Sequence, residues 1–225
     1  MIQKVQYLIS NEKNPYINQA LEENLMTAVD ARTCILLLWQ NDNTVFVGKN
    51  QNIWQECWVK KLIMDGGSPA RRISGGGAVY QDLGNLNFTM LMQGENFNLQ
   101  KQYDVILEAL KRLGVQAKKS GRNDIMADGR KVSGNAYYYS GVRAFHHGTI
   151  LLNADKEKME KYLLVSREKL LSKGVDSIKA RVANLCELLP DLSLVRLQQS
   201  LLHAFEKVYG GRLEEFPIAS LDPAQ

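Results

Sequence analysis

The sequence is poor in the residues that most often announce chemistry. Only three of its 225 residues are histidine and three are cysteine. Cys34, Cys57 and Cys186 are odd in number and widely spaced, with no Cys-x-x-Cys pair, which argues against a disulfide framework or a zinc site. Cys34 in an apolar run and Cys57 in an amphipathic stretch read as small buried hydrophobes; Cys186, not far from Arg181, keeps a reactive thiol barely open. No Gly-x-Ser-x-Gly elbow offers a serine nucleophile. Long apolar runs are missing too. "CILLLW" falls far short of the roughly 20 residues of a membrane helix, and "MIQKVQYLIS" lacks the features of a secretory signal. A cytoplasmic protein without membrane contact is expected. An excess of one sign is missing as well: the net charge is only +4, and the basic residues are interleaved with acids, a solvated surface rather than a nucleic-acid stripe. Such a balance still permits an anionic ligand or an acidic partner.

What is present is an ordinary soluble composition, 45% hydrophobic, long enough for one good core. "QYLIS" reads as a first strand. Asn14 caps a helix with Pro15 at its first position and an apolar face of Ile17, Ala20, Leu21, Leu25 and Ala28. "CILLLWQ" and "TVFVGKN" read as a hairpin across "NDN", and "WQECWVKKLIMDGG" as one helix stopped by its glycines. "NLNFTMLM" alternates like a half-buried strand, and "LQKQYDVILEALKRLG" is an amphipathic helix ending at Gly114. "DIMADGRKVSGNAYYY" is a hairpin around Asp-Gly, and "FHHGTILLN" a further strand. From Asp155 onward the pattern is helical, and "RLEEFPIASLDPAQ" is a loose tail. Hairpins with helices inserted between them predict an α+β fold, a mixed, largely antiparallel sheet with flanking helices.

Three stretches could carry chemistry. In "ARRISGGGAVYQD", Gly75, Gly76 and Gly77 gain close backbone approach at a cost in chain entropy, and successive N–H groups can cradle an anion. Arg71 and Arg72 could grip phosphate or carboxylate beside them; with Ser74, this cradle and a plain glycine turn stand level. In "GRNDIMADGRKVSGNAY", Lys131 follows the turn on a strand, with Asn123 and Asp124 nearby and small residues after it that leave room for a ligand. A lysine on a strand is more often a solvated edge residue, so this stretch alone carries little weight. In "AFHHGTILLN", the adjacent His146 and His147 point to opposite faces of a strand, so they cannot share one metal and one of them is a packed core histidine. No metal site is expected.

Together these stretches resemble the lipoate–protein ligase family, with order and spacing agreeing from about Tyr7 to Tyr209. "RRISGGGAVYQDLGNLNFT", "GRNDI…GRKVSGNAY" and "FHHGTILLNAD" carry the resemblance, and "LLSKGVDSIKARVANLCELLP" has its counterpart. It implies the class II synthetase-like fold shared with biotin protein ligases. It also implies activation of lipoate by ATP, with Mg²⁺, to lipoyl-adenylate, and transfer to a lysine of an acceptor. Acceptors would be lipoyl domains of 2-oxoacid dehydrogenases and the glycine-cleavage H protein. By position, Arg72, Gly77, Ala78, Val79, Tyr80 and Asn123 would bind the nucleotide. Arg71, Ser74, Gly75, Gly76 and His147 would line the lipoate loop. Lys131 would contact the lipoyl carbonyl and the phosphate, and Asp124 would accept the proton of the incoming amine. Many relatives have His where Gln81 stands, so that role does not transfer. Residues 1–225 are expected to be the catalytic domain without the small carboxy-terminal accessory domain of familiar ligases. That leaves a trimmed chain, half of a two-polypeptide ligase with a separate accessory polypeptide, or a transferase taking preformed lipoyl-adenylate. A lipoyl or octanoyl amidotransferase working through a cysteine thioester is the alternative of the same fold.

Overall fold

The computed structural model describes residues 2–164 and 177–221. The helical expectation across 165–176 and the last four residues of the tail lie outside them. Asn14 caps α1 (Pro15–Ala28) by accepting from the Tyr16 amide, with Pro15 in the first turn. The helix crosses one face of an eight-stranded sheet ordered β11-β1-β2-β6-β10-β9-β8-β7. In chain order these are β1 (Lys4–Ile9), β2 (Thr33–Trp39), β6 (Asn85–Gln93), β7 (Ala117–Ser120), β8 (Asp124–Ala127), β9 (Arg130–Tyr139), β10 (Arg143–Leu151) and β11 (Leu213–Glu215). Only the β11–β1 and β1–β2 pairings are parallel, so the sheet is mixed and largely antiparallel, as the hairpin pattern predicts.

A second sheet, β4-β3-β5, stands over that face, built from β3 (Thr44–Val47), β4 (Ser68–Arg71) and β5 (Val79–Gln81). This corrects the expected hairpin: β2 pairs with β1 and β6, while β3 leaves for the small sheet and pairs with β4 and β5. "NDN" is a crossing between layers, turned at Asn43, whose φ is +38°. The expected single helix after it is two short ones, α2 (Ile53–Glu56) and α3 (Val59–Met64). They are broken at Cys57, which is extended and bridges to Leu163.

On the opposite face of the main sheet, α4 (Leu99–Arg112) packs with the long helix Leu194–Tyr209, joined by a bond from Ser200 Oγ to the Ala109 carbonyl at 2.8 Å. Leu36, Leu38, Phe88, Met90, Ile106 and Leu110 fill the space between. With layers on both sides, β6 is buried along nearly its whole length rather than half-buried. The tail is likewise less loose than its composition predicts, because β11 adds to β1. Leu110 is fully buried under the long helix. Leu110→Ala should lower the unfolding free energy by about 3 kcal/mol. Urea denaturation measures this, and a loss below about 1 kcal/mol would contradict the packing.

Candidate active site

The two sheets enclose a cleft of about 260 Å³. Its floor is the main-sheet face carrying Asn87 and Thr89 of β6, Gly134 and Ala136 of β9, and His147 and Thr149 of β10. Its roof is Phe46 of β3, the glycine loop and β5. Trp39 and Phe46, both nearly fully buried, make the inner end apolar. The outer end is charged, with Asn123, Asp124, Lys131 and Arg181.

Lys131 reaches the cleft because β9 is irregular. Ile125 pairs with Ser133 and Met126 with Lys131, so Val132 is an additional residue on β9. Strict alternation would put Lys131 on the face of Ser133 and Asn135; the bulge re-aims it to the face of Gly134. A Cβ on Gly134 would lie 2.7 Å from Lys131 Nζ, so that glycine makes room for the lysine stem itself. Nζ pairs with Asp124 Oδ1 at 2.7 Å, and Arg181 donates to Oδ2 at 2.8 Å. Burial pushes the Asp124 carboxyl up, but the two cations outweigh it and hold it below its ordinary range. Asn123 is fastened to Asn135 by reciprocal side-chain to carbonyl bonds, and His146 in turn bonds Asn135 Oδ1 from within the core. His146 is fully buried against Phe88 and Tyr103, and burial drives its imidazole down to about 3, so it stays neutral.

His147 faces the other way, as alternation predicts. Its Nδ1 lies 2.9 Å from Glu22 Oε1 and its Nε2 2.7 Å from Ser74 Oγ. A carboxylate only accepts, so Nδ1 carries the hydrogen. Thr89 Oγ1 donates to the same Glu22 oxygen at 2.6 Å and accepts from Trp39 Nε1 at 3.0 Å. Ser74 Oγ accepts from Arg72 Nε at 3.2 Å. Periodicity missed Glu22 because it expected the apolar positions of α1 to face inward. Instead Ile17, Ala20 and Ala28 are exposed, while Asn18, Glu22, Leu25 and Met26 are buried.

The arginines do not offer themselves as the sequence reading expects. Arg71 Nη1 donates to the carbonyls of Gly48, Lys49 and Gln51, outside the cleft. Arg72 lines the cleft, but its Nη1 holds the Phe46 carbonyl and its Nη2 those of Gly75 and Gly77. Burial lowers the Arg72 guanidinium to about 10, opposed by the charge of Glu22. It braces the loop from beneath. Gly76 has a φ of +94° and, like Gly77, Ala78 and Val79, lines the cleft. Gly75 and Ser74 lie beside it, and Tyr80 turns into the core behind β5, with its hydroxyl on Asn43. Gln81 of β5 lines the cleft, bonded to Asn41 and Asn87. None of the three cysteines does so; burial pushes Cys34 up to about 12 and Cys57 up to about 11. Among the described residues no group of three or more His, Cys, Asp or Glu could hold a metal ion. No helix among them is long and apolar enough to cross a membrane.

Residues 14–206 match the family model described as the lipoyl protein ligase A/B catalytic domain. The chain belongs to that family. It is 42% identical over 217 residues to lipoate-protein ligase A of Bdellovibrio bacteriovorus, covering 95% of this chain and 64% of that protein. The structure of P. falciparum LipL1 in complex with lipoate is similar at 34% identity and a TM-score of 0.79, over 94% of this chain and 66% of that one. The bi-partite lipoate protein ligase of Thermoplasma acidophilum shares the fold, with a TM-score of 0.82 at 24% identity over 96% and 88% of the two chains. This lipoyl ligase-family chain spans 64% and 66% of the length of two curated relatives it matches.

The buried carboxylate beneath the family's glycine loop can be tested by stability. Glu22→Ala strands the His147 and Thr89 donors and should cost about 3 kcal/mol, whereas Glu22→Gln keeps an acceptor and should cost about 1 kcal/mol. Urea unfolding of both variants checks this; equal and small losses would contradict the network.

Proposed function

We propose that this chain is the catalytic part of an ATP-dependent lipoate–protein ligase that works in the cytoplasm. It activates the lipoate carboxylate with ATP to lipoyl-adenylate, releasing pyrophosphate. It then passes the lipoyl group to one lysine of a lipoyl domain of a 2-oxoacid dehydrogenase or of the glycine-cleavage H protein. The observation that carries this reading is a bulge-directed lysine, Lys131, facing a glycine loop across a cleft whose inner end is apolar and whose lining holds no cysteine.

The residues suit both steps. The apolar end at Trp39 and Phe46 accepts an acyl chain, and its carboxylate then lies toward Lys131. Bringing a carboxylate onto an α-phosphate concentrates negative charge, and Lys131 supplies positive charge there, with Arg181 behind it on Asp124. The backbone of Gly76 and Gly77 can approach an anion without side chains intervening. In the second step an acceptor amine attacks the acyl carbonyl and AMP leaves. Asp124, held ionised by its two cations, orients Lys131 and is a weak acceptor for the amine's proton. Asp124 is one carboxylate already engaged by cations, so Mg²⁺ would enter with the nucleotide phosphates and add charge neutralisation there.

The cysteine-thioester alternative needs a thiol in the cleft. Cys34 lies in the core between β2 and the helices, Cys57 at the α2–α3 break, and Cys186 donates to the Leu192 carbonyl. The reading is tested with an apo-lipoyl domain and preformed lipoyl-adenylate, scored by intact mass. Lys131→Ala should lower transfer by at least about 100-fold, the scale of losing one group that stabilises developing charge. Single Cys→Ser variants should retain full transfer. Near-normal transfer by Lys131→Ala, or loss in a folded cysteine variant, would overturn the assignment.

A further inference from the structure

Among the described residues after 177, the chain meets β9 beside the cleft. Val182 forms a parallel bridge with Lys131, and the Ala183 amide donates to the Lys131 carbonyl at 2.9 Å. Arg181, at the end of the helical turn Ile178–Arg181, is thereby set beside the lysine's own strand. Its Nη2 takes Asp124 Oδ2 at 2.8 Å, while Lys131 Nζ takes Oδ1 at 2.7 Å. Asp124 therefore carries one cation on each oxygen. The side chains of Asp124, Lys131 and Arg181 are only 13%, 17% and 22% exposed.

Such a carboxylate is expensive to leave uncompensated, more so than the pair is valuable when intact. The Lys131 ammonium has three donors, but its tether to Asp124 limits how far Nζ can follow a ligand, because moving it off Oδ1 altogether would strand the acid. The second cation removes that obstacle. The guanidinium keeps its place through a planar fork and a backbone bridge, whereas the lysine ammonium sits on a flexible four-carbon stem and can exchange partners.

We propose that Arg181 is a positioning residue that releases Lys131 to the anionic ligand: by holding Asp124 Oδ2, it lets the carboxylate give up Lys131 Nζ without becoming a lone buried charge. The inference rests on the adenylating reading above. It assigns Arg181 an action through Asp124 rather than a contact with the ligand, although Arg181 also borders the cleft.

The two roles separate in a double-mutant cycle on the full chain, with AMP as the probe and affinity read by calorimetry. Arg181→Met should weaken AMP about tenfold in the wild-type background, but less than about twofold in Asp124→Asn, where no carboxylate needs compensation. Arg181→Lys, which keeps a cation, should bind within about threefold of wild type, and kcat/KM for transfer from lipoyl-adenylate should follow the same order. Equal weakening in both backgrounds makes Arg181 a direct ligand contact and overturns the inference, as does no weakening in either. A wild-type chain that neither binds AMP nor uses lipoyl-adenylate overturns the adenylating reading itself. Wild-type activity with an additive cycle overturns only the role of Arg181.

Discussion

Four of the elements that form the cleft meet at one atom, Glu22 Oε1. Trp39 of β2 reaches it through Thr89 of β6, and Arg72 of the glycine loop reaches it through Ser74 and His147 of β10. Thr89 Oγ1 and His147 Nδ1 both donate to the carboxylate, which can only accept, and Trp39 Nε1 donates to Thr89 in turn. A fully buried acid of this kind is costly unless its partners are in place, and both of these donors converge on the one oxygen. The helix α1, the sheet and the loop are consequently fixed relative to one another. Arg72 carries the constraint onward, because its remaining donors hold the carbonyls of Phe46, Gly75 and Gly77.

The roof of the cleft is thus braced from inside, with its carbonyls drawn back onto Arg72. The floor is arranged by different means: one additional residue in β9 turns Lys131 inward, and the missing side chain of Gly134 accommodates its stem. Apolar space lies at the inner end of this pairing and three charged side chains at the outer end. An amphiphile with an acidic head fits that polarity, which is why the family membership and the geometry lead to the same proposal.

The order of elements, the Asp-Gly hairpin and the amphipathic α4 are legible in the sequence because each rests on local chemistry. Asp128 and Gly129 both take positive φ, as a tight two-residue turn requires, and Gly114 ends α4 with φ +88°. What could not be read from local chemistry was decided by the second layer. The strand after "NDN" joins another sheet, and the helix predicted around Cys57 breaks to pair with Leu163. Within the site, Lys131, Asn123, Asp124 and the glycines come together as their motifs imply. Glu22 and Arg181 carry no site role in the sequence reading, although Arg181 lies in the matched stretch "LLSKGVDSIKARVANLCELLP". A polar residue facing inward on α1 contradicts simple periodicity, and Arg181 reaches Asp124 only through a contact between residues 57 positions apart. The arginine pair shows the converse: its positive charge is turned to backbone carbonyls, those of Gly48, Lys49 and Gln51 for Arg71 and those of Phe46, Gly75 and Gly77 for Arg72.

The central claim is that the cleft binds an acyl-adenylate with its charge at Lys131 and its acyl chain at the apolar end. The most direct measurement is a crystal structure of the chain with a non-hydrolysable lipoyl-adenylate analogue. The account predicts the acyl chain against Trp39 and Phe46, the anionic linker between Lys131 Nζ and the Gly76–Gly77 backbone, and Arg72 still bonded to the loop carbonyls. An analogue bound outside the cleft, or one gripped by Arg72 after the glycine loop has let go of it, would contradict the account.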